Sequence, residues 1–470
     1  MRMYVGGAWV NGTAAIDVVN PYDGSLVDTV PRGTAADVER AVASASRGAR
    51  VMAGLTGYER YEILHRAAGL IRARTEELAR LVTREQGKTI REARVEITRA
   101  AEIMNLSAEE AKRLYGEVIP LDGAPGTRGK FGFTLRVPCG VVAAITPFNF
   151  PFHLVCHKAG PALAGGNAVV IKPATDTPLS AIRLVEILLE AGIPAEAVQV
   201  VTGAGREIGD ALVSDPRVRK VTFTGSRDVG ERICRLAGIK KVTMELGSNA
   251  PVVVLPDADL DKVARILPLT AYANAGQVCI STQRVLADAA IYSDLLDALA
   301  PKVRAITTGD PLDETTGMGP MIRESDAQRV GAWIAEATQM GARLIAGGDR
   351  QGRLFAPTLV ADVSPTMKIS CDELFGPAMG VTRVRDLDEA IALSNDSNYG
   401  LSAAIFTQDV DLAMRYVREV QAGNVHVNWG SQFRVDLMPY GGLKDSGMGK
   451  EGPRYAVEEM TETKMVVLHL

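Results

Sequence analysis

The sequence predicts an α/β protein built from more than one domain. Between Val141 and Leu255, short apolar stretches of the buried-strand type alternate with segments of helical pattern. Such alternation is typical of a parallel sheet covered by helices, which binds ligands at the carboxyl ends of its strands. A second α/β unit follows from Pro251 to about Lys444. The chain of 470 residues is also too long for one hydrophobic core, and it suggests two or three domains.

Composition and charge restrict the classes of function. The chain is 47% hydrophobic and 23% charged, as expected of a soluble globular protein. Its net charge of −4 argues against nucleic acid or an anionic membrane as the main partner. No apolar stretch approaches the roughly 18 residues that span a bilayer, and the N-terminus lacks the apolar region of a signal peptide. Five cysteines without metal-like spacing predict free thiols, no metal site and a reducing, cytoplasmic compartment.

The first 138 residues are predicted to form short strands, then helices, then a hairpin. The dipeptide Asn11-Gly12 is a hairpin-turn signal. From Ala35 to about Tyr115 the pattern is helical, and apolar residues recur at i, i+3, i+4 and i+7 in Leu64, Ala67, Ala68 and Ile71. Glycines punctuate residues 116–138, and residues 131–137 alternate as in a strand.

Turn residues delimit the elements of the first α/β unit. Its predicted buried strands are Val141–Ile145, Ala168–Ile171, Val198–Val201 and Val221–Phe223. Before the third strand lies a helix that Thr177 is expected to cap, with Pro178 in its first turn and Gly192 at its end. The turn Gly203–Gly209 is a weak dinucleotide signal, because its third glycine lies one residue too far along. At the chain's end, residues 461–469 predict a terminal strand added to another sheet.

The stretch with the most chemical information surrounds Cys279. Among the five cysteines it is the one set in small and polar residues, from Asn274 to Arg284. The thiolate is the reactive form of cysteine, and Gly276 would let a substrate approach the backbone. Upstream, Glu245 offers a carboxylate base and Asn149 an amide donor, which completes the set that covalent acyl chemistry needs. The alternative for Cys279 is a buried, unreactive cysteine.

Seven stretches, in this order along the chain, resemble the motifs of the aldehyde dehydrogenase superfamily. They are Pro147–Pro151, Lys172–Pro173, Phe223–Ser226, Glu245–Gly247, Gly276–Cys279, Glu373–Pro377 and Pro439–Gly447. One motif alone would be weak, but the ordered set is specific and extends over nearly the whole chain. The sequences Gly-Gln-Val-Cys-Ile-Ser and Glu-Leu-Gly-Ser-Asn are most similar to the lactaldehyde dehydrogenase-like branch.

The resemblance implies an aldehyde dehydrogenase fold in three parts. A Rossmann-like NAD(P)-binding domain would comprise residues 1–117 and 139–246, and a catalytic α/β domain residues 247–445. A β oligomerisation arm and C-terminal tail would comprise residues 118–138 and 446–470. In the family such an arm pairs with another subunit, so a homodimer or homotetramer is expected. The alternative is a surface hairpin.

The resemblance also implies roles for the catalytic candidates. Cys279 would attack an aldehyde to form a thiohemiacetal, whose oxyanion the Asn149 amide and the Cys279 N–H would stabilise. After oxidation to a thioester, Glu245 would activate water and release a free carboxylate. Lys158 and Glu451 match a supporting proton relay. The alternatives are an Asx turn for Asn149 and exposed charges for the other three residues.

For the cofactor, the resemblance implies NAD or NADP. Lys172 matches a lysine that bonds the adenosine ribose. Thr175 stands where many NAD-specific relatives have a glutamate that would repel a 2′-phosphate, so NADP is expected to be at least tolerated. Glu373 matches the residue that holds the nicotinamide ribose, and Phe375 the one that packs beside the ring. Further cofactor positions, with the pyrophosphate expected at a helix N-terminus, are Thr146, Pro147, Phe148, Gly205, Gly225, Ser226, Leu246 and Gly247.

Five positions are assigned to the substrate. Arg99 matches an arginine that binds the distal phosphate in non-phosphorylating glyceraldehyde-3-phosphate dehydrogenase relatives, while Phe150 and Val278 replace a tyrosine and an arginine of those enzymes. Ile280 adjoins the nucleophile, and Arg434 lies in a loop that lines the substrate funnel. Because arginine presents a rigid fork to anions, we expect a short aldehyde with a hydroxylated or anionic tail. The alternative for Arg434 is a surface salt bridge.

Three functions are therefore compared. The leading one is NAD(P)-dependent oxidation of a short aldehyde, such as lactaldehyde, glycolaldehyde, a semialdehyde or a phospho-, phosphono- or sulfo-aldehyde, to its carboxylate. The second is a coenzyme A-acylating aldehyde dehydrogenase, against which Glu245 argues because such relatives generally lack this base. The third is a structural or binding protein that has kept the fold.

Overall fold

The computed structural model describes residues 1–470, and two large sheets organise it. The first sheet has eight strands in the spatial order Ala8–Val10, Met3–Val5, Val198–Val200, Ala168–Lys172, Val141–Ile145, Val218–Thr224, Lys241–Glu245 and Gly447–Met448. The second has seven, in the order Arg343–Ala346, Thr358–Ala361, Ala378–Val384, Arg284–Asp288, Pro251–Val254, Ser402–Phe406 and Asn424–Val427. The central strands of both sheets run parallel, as predicted.

Helices cover both sheets. Those associated with the first sheet are Ala35–Gly54, Gly57–Ala73, Thr75–Gln86, Ile90–Ala111, His153–Ala164, Leu179–Glu190, Asp210–Ser214, Arg227–Ala237 and Pro453–Glu459. Those that follow in the second unit are Leu260–Tyr272, Tyr292–Arg304, Glu324–Gln339, Lys368–Cys371, Leu387–Asn395 and Val410–Glu419. Short helical turns lie at Leu121–Gly123, Ala195–Ala197, Gly205–Gly209 and Ala273–Gly276. None of the helices is both long enough and apolar enough to cross a membrane.

The helical region predicted between residues 35 and 115 is confirmed as four helices. The predicted apolar face of the second of them, Gly57–Ala73, is buried against the first sheet's core in Leu64, Ala67, Ala68 and Ile71. The second sheet has a core of its own. Two separate cores explain how a chain of this length remains well packed.

Two local predictions were wrong. The first hairpin turns at Gly6 and Gly7, which both have positive φ, and not at Asn11-Gly12. The helix Leu179–Glu190 has no side-chain cap from Thr177. Instead, the buried Glu85 carboxylate accepts the N–H groups of Leu179 and Ser180. A carboxyl group distant in sequence has thus taken the capping role, because its oxygens accept N–H groups of the first turn that have no partner within the helix.

Residues 118–138 form an arm together with the C-terminus. Thr461–His469 pairs antiparallel with Lys130–Pro138 along its whole length, and Val118–Ile119 adds a third strand. The predicted terminal strand is thus confirmed. The small sheet leaves several large apolar side chains exposed, among them Val118, Phe131, Leu135, Met465, Val467 and Leu468. Three further strand pairs complete the fold: Ala15–Val19 with Leu26–Pro31, Arg350–Gln351 with Leu354–Phe355, and Tyr399–Gly400 with Leu443–Lys444.

A buried ion pair links the helices to the loop that contains Asn149. Lys88 and Glu96 are both fully buried and lie 2.5 Å apart. The Lys88 ammonium also donates to the Asn149 carbonyl at 2.7 Å, and Glu96 accepts the N–H groups of Phe152 and His153. The pair therefore anchors the end of the strand Val141–Ile145 and the start of the next helix.

We expect Lys88→Met to lower the free energy of unfolding by about 3–5 kcal/mol, because it leaves the Glu96 charge buried and uncompensated. The shift of the urea unfolding midpoint measures this. The matched control is Arg235→Met, which breaks the exposed pair of Arg235 with Glu231 and should shift the midpoint little. Equal shifts in both variants would contradict the structural role of Lys88.

Candidate active site

The Cys279 segment connects the helix Leu260–Tyr272 to the strand Arg284–Asp288. It begins with a sharp turn in which Asn274 and Ala275 have positive φ angles of 51° and 54°. At Gly276, φ is 69° and a Cβ would lie 2.1 Å from the Gly376 carbonyl oxygen, so only glycine fits. The turn places Cys279 in a partly exposed position among buried neighbours.

The sulfur of Cys279 has one hydrogen-bonding neighbour, the hydroxyl group of Tyr440 at 3.3 Å. Burial raises the pKa of the thiol to about 12, while the Tyr440 hydrogen bond acts to lower it. The backbone N–H of Cys279 has no backbone acceptor. It is therefore a donor available to an oxyanion that develops beside the sulfur.

Asn149 is joined directly to the loop of the nucleophile candidate. Its side-chain amide nitrogen donates to the Gln277 backbone carbonyl at 2.9 Å. Its backbone carbonyl accepts from the Asn274 side-chain amide at 3.0 Å. The side-chain oxygen has no partner. An Asx turn requires that oxygen to accept a backbone N–H, so the alternative interpretation of Asn149 does not hold.

Glu245 is the last residue of the strand Lys241–Glu245, and its side chain is buried. Neither carboxyl oxygen has a hydrogen-bond partner. Burial, and secondarily the charge of Glu451, raise the pKa of Glu245 well above its ordinary range. An unpaired carboxyl group with a raised pKa is suited to exchange protons near neutral pH, whereas the exposed-charge alternative is excluded.

Lys158, Glu451 and Arg434 form one buried network. The Glu451 carboxylate contacts the Lys158 ammonium at 2.7 Å and the Arg434 guanidinium at 3.1 Å. Burial alone would raise the pKa of Glu451, but the Lys158 and Arg434 charges outweigh it and hold that pKa well below its usual range. Lys158 also donates to Thr224 at 2.7 Å. Lys158, Glu451 and Arg434 are therefore buried charges held in ion pairs, and not surface charges.

Two residues assigned to the cofactor, Lys172 and Thr175, lie at and just after the end of one strand of the first sheet. Lys172 ends the strand Ala168–Lys172, and burial lowers the pKa of its ammonium group to about 8. A Cβ at Gly205 would lie 4.0 Å from the Lys172 nitrogen, so the turn Gly205–Gly209 faces this side chain. The Thr175 hydroxyl donates to the Gly203 carbonyl at 3.2 Å. The adjacent Asp176 is paired with Arg323.

The other positions assigned to a cofactor lie on neighbouring loops. Ser226 precedes the helix Arg227–Ala237 and makes no side-chain cap, so the first N–H groups of that helix remain available to an anion. Gly225 and Gly247 leave no room for a side chain, since a Cβ would lie 2.4 Å from the Phe223 ring and 2.5 Å from the Glu373 carboxylate. The remaining loop positions are buried or partly buried: Thr146, Pro147 and Leu246.

Glu373 and Phe375 lie in a loop of the second unit. Burial raises the pKa of Glu373 to about 7, and its carboxylate accepts the Ser248 N–H at 2.9 Å. Phe375 has a positive φ of 47° and its ring meets the Phe148 ring edge-on, with 5.9 Å between centroids. The two units of the chain thus meet between these aromatic rings.

The sequence motifs and the residues at the strand ends match those of a known family. The family model described as the aldehyde dehydrogenase family matches residues 9–466.

The chain belongs to the aldehyde dehydrogenase family.

Relatives and solved structures agree with this membership. The 3-sulfolactaldehyde dehydrogenase of Priestia aryabhattai is 47% identical over 468 residues, which cover 100% of this chain and 98% of that protein. The lactaldehyde dehydrogenase of Methanococcus aeolicus is 36% identical and covers 99% of this chain and 100% of its own. A crystal structure of NADP-dependent glyceraldehyde-3-phosphate dehydrogenase from Bacillus halodurans C-125, complexed with NADP, matches with a TM-score of 0.97 at 37% identity, covering 99% and 98% of the two chains.

This aldehyde dehydrogenase uses NAD or NADP, and its residues fit such a group. Lys172 donates only to the Pro173 carbonyl and so keeps N–H groups for a ribose. The uncapped helix after Ser226 suits a pyrophosphate, and the space at Gly247 lies directly against the Glu373 carboxylate. The family's fold is confirmed in the arrangement of both large sheets.

The candidate substrate-binding residues of this aldehyde dehydrogenase fall into two groups. Val278 and Ile280 pack with Leu401 and Tyr440 in a small apolar cluster, against which Phe150 also lies. Arg99 and Arg434 are instead held by polar partners, and the Arg434 side chain is only 8% exposed. Arg434 therefore lies inside the protein beside the catalytic candidates, and the surface salt bridge alternative is excluded.

Sequence reasoning missed three residues around Arg434. The first is Asp436, which pairs with Arg99 at 2.7 Å. The second is His157, whose Nδ1 lies 3.1 Å from Arg434 and whose Nε2 lies 3.3 Å from Asp436, so it connects Arg434 to the Arg99–Asp436 pair. Tyr440 is the third, beside Cys279. Tyr440 lies inside the quoted motif Pro439–Gly447, which is the signal that could have identified it. No sequence signal pointed to His157 or Asp436.

The acidic residue next to Thr175 in sequence, Asp176, is paired with Arg323. We therefore expect kcat/KM with NADP to exceed about a thousandth of that with NAD, a gap of roughly 4 kcal/mol. Thr175→Glu should lower kcat/KM with NADP at least tenfold and change that with NAD little, because a carboxylate repels the 2′-phosphate. Thr175→Gln is the matched neutral control. Equal losses with both cofactors would contradict the assignment of Thr175.

Proposed function

We propose that this aldehyde dehydrogenase oxidises a short polar aldehyde to a free carboxylate at Cys279. In this proposal Cys279 is the nucleophile, Glu245 the base that activates water, and the Asn149 amide with the Cys279 N–H the donors to the oxyanion. The observation that supports it most strongly is the buried Glu245 carboxyl group, whose two oxygens have no hydrogen-bond partner. Burial raises the pKa of Cys279 and of Tyr440, and the charge of the nearby Glu245 adds to both rises. Lys158 and Glu451 are proposed to support proton movement around it.

The proposed chemistry proceeds in two halves. The Cys279 thiolate adds to the aldehyde carbon, and the negative charge moves from sulfur to the carbonyl oxygen between the two N–H donors. The nicotinamide dinucleotide, when bound, supplies the acceptor for the two electrons lost as the thiohemiacetal becomes a thioester. Glu245 then takes a proton from water as the water attacks the thioester, the acid leaves, and Glu245 returns that proton to the departing Cys279 thiolate. A buried base poised for water favours this outcome over transfer to coenzyme A.

For the substrate, we infer a short hydroxy-aldehyde with an anionic tail, and 3-sulfolactaldehyde is the leading candidate. The 47% identical relative carries that name, and a 36% identical one is named a lactaldehyde dehydrogenase. Two arginines lie near the reactive centre, and the Arg434 Nε–H is buried without an acceptor in the protein. A sulfonate, phosphonate or carboxylate offers such a donor an acceptor. Phe150, Val278 and Ile280 would enclose the short carbon chain.

We also propose that the arm mediates a homodimer or homotetramer in the cytoplasm. The exposed apolar side chains of the three-stranded sheet support this, because a patch of that kind is typical of an interface. The proposed division of the chain keeps residues 1–117 and 139–246 with the cofactor, 247–445 with the nucleophile, and 118–138 and 446–470 with the arm.

Glu245→Gln is expected to uncouple the two halves of the reaction. The first turnover should still release about one NAD(P)H per subunit, while steady-state turnover falls about 10²–10⁴-fold, because the base for thioester hydrolysis is lost. Stopped-flow absorbance measures both phases. The exposed Glu419→Gln is the control. An unchanged steady-state rate, or acyl-coenzyme A as the product of the wild type, would contradict the proposed role of Glu245.

Arg434→Ala should discriminate between anionic and neutral aldehydes. We expect kcat/KM to fall at least tenfold more with an anionic aldehyde such as 3-sulfolactaldehyde than with neutral lactaldehyde, because only the former loses an ion pair. The ratio of the two losses removes any general effect on the Glu451 network. The exposed Arg454→Ala serves as control. Equal losses on both aldehydes would rule out a selective role for Arg434.

A further inference from the structure

We propose that Tyr440 is a further catalytic residue, whose hydroxyl group donates a hydrogen bond to the Cys279 thiolate and stabilises it. Arg434 would act through Tyr440 as a positioning residue. This inference deepens the proposed function, since it rests on Cys279 as the nucleophile. It adds a donor to the sulfur itself, whereas the Asn149 amide and the Cys279 N–H are donors to the oxygen of the aldehyde.

The contact between the two side chains is direct and enclosed. The Tyr440 oxygen lies 3.3 Å from the Cys279 sulfur, and no other hydrogen-bonding group reaches that sulfur. The Tyr440 side chain is buried and packs with Val278, Ile280 and Leu401 on both sides of the nucleophile. Since a thiolate cannot donate, the hydroxyl group must be the donor once the sulfur is ionised.

An ionised sulfur in this position needs such a partner. Burial penalises the charged form of the thiol, and the nearby Glu245 and Glu373 carboxyl groups act in the same direction. No cationic side chain makes a hydrogen bond to the sulfur. A hydrogen bond to a charged acceptor is stronger than one between neutral groups, so the Tyr440 hydroxyl group is the principal local source of stabilisation.

Arg434 is arranged to strengthen this donor. Its guanidinium carbon lies 3.9 Å from the centroid of the Tyr440 ring, a cation–π geometry. Burial raises the pKa of Tyr440, and the Arg434 charge acts against it. A cation over the ring withdraws electron density from the phenol, which makes its O–H a better donor. Glu451 at 3.1 Å and His157 at 3.1 Å fix the plane of the guanidinium over the ring.

The proton and charge balance is simple. The thiol proton leaves to Glu245 or solvent, and Tyr440 keeps its own proton throughout. When the thiolate adds to the aldehyde carbon, the charge moves to oxygen and the O–H···S hydrogen bond weakens. The donor therefore increases the population of thiolate at the expense of some nucleophilicity. Because nucleophilicity rises by only about half a logarithmic unit per pKa unit, the net effect on the rate below the thiol pKa is favourable.

The test is the rate of alkylation of Cys279 by iodoacetamide at pH 8 in the full-length protein, followed by mass spectrometry of the Cys279 peptide. For Tyr440→Phe we expect the pKa of Cys279 to rise by about one unit, the equivalent of 1.4 kcal/mol. The rate at pH 8 should fall about threefold, because a tenfold loss of thiolate is partly offset by a more nucleophilic sulfur. Tyr416→Phe is the matched control, since it also removes a buried hydroxyl group, 3.2 Å from Ser394 and away from this site.

A second variant protects the test against a folding defect. Incorporation of 3-fluorotyrosine at position 440 keeps the shape of the side chain and makes the phenol more acidic. The alkylation rate at pH 8 should then rise, opposite to Tyr440→Phe. If neither substitution changes this rate in a protein with the wild-type melting temperature, the hydrogen bond to the thiolate is overturned.

The role of Arg434 is tested by a double-mutant cycle. Arg434→Gln should lower the alkylation rate at pH 8 by a larger factor in the wild-type background than in the Tyr440→Phe background, because part of its effect passes through the phenol. Equal factors in both backgrounds would overturn the positioning role. Alkylation needs neither aldehyde nor dinucleotide. A Tyr440 effect in a protein that oxidises no aldehyde would therefore uphold this inference while refuting the proposed function.

Discussion

The buried Glu451 carboxylate, held between Lys158 and Arg434, is the interaction on which the reactive centre depends. Lys158 comes from the helix His153–Ala164 under the first sheet, and Arg434 from a loop of the second unit. Two cations around one anion satisfy the charge of Glu451 and leave it unprotonated. Its remaining field then acts on Glu245, which has no partner of its own. Of the two neighbouring buried carboxyl groups, that of Glu451 is therefore paired and charged, while that of Glu245 is unpaired and has a raised pKa.

A second buried ion pair, Lys88 with Glu96, fixes the chain around Asn149. Lys88 and Glu96 join the N-terminal helices to the chain around Asn149 and His153. The Asn149 amide is then held against the Gln277 carbonyl, two residues before Cys279. The geometry at the sulfur therefore depends on groups far away in sequence, and each group is fixed by charges that cannot leave their partners without a large penalty.

The polar residues proposed to bind the substrate belong to a third cluster of paired groups. Arg99 and Asp436 face His153 and His157, and Asp436 Oδ1 lies 3.3 Å from a ring nitrogen of each histidine. Burial, followed by the Arg99 charge, lowers the pKa of His153 to about 4, so this ring is neutral near pH 7. Positive charge in this cluster is therefore carried by Arg99 and Arg434, and the His157 ring lies between Arg434 and Asp436. This division is consistent with a site that selects an anionic tail through a few fixed guanidinium groups.

Sequence alone determined the elements whose signals are local. Apolar strands, the helical face of Leu64 and Ile71, and the ordered motifs around Cys279 and Glu245 were all readable, because periodicity and spacing depend on near neighbours in the chain. The turn predicted at Asn11-Gly12 was wrong because a second local turn signal, Gly6-Gly7, closes the hairpin. The cap predicted at Thr177 was wrong because Glu85, distant in sequence, accepts the N–H groups at the start of that helix. Only the tertiary structure decided that Arg434 lies over the Tyr440 ring, that His157 and Asp436 complete its surroundings, and that Glu245 is left without a partner. These facts depend on which side chains meet when two separate sheets pack together, and no local pattern encodes that.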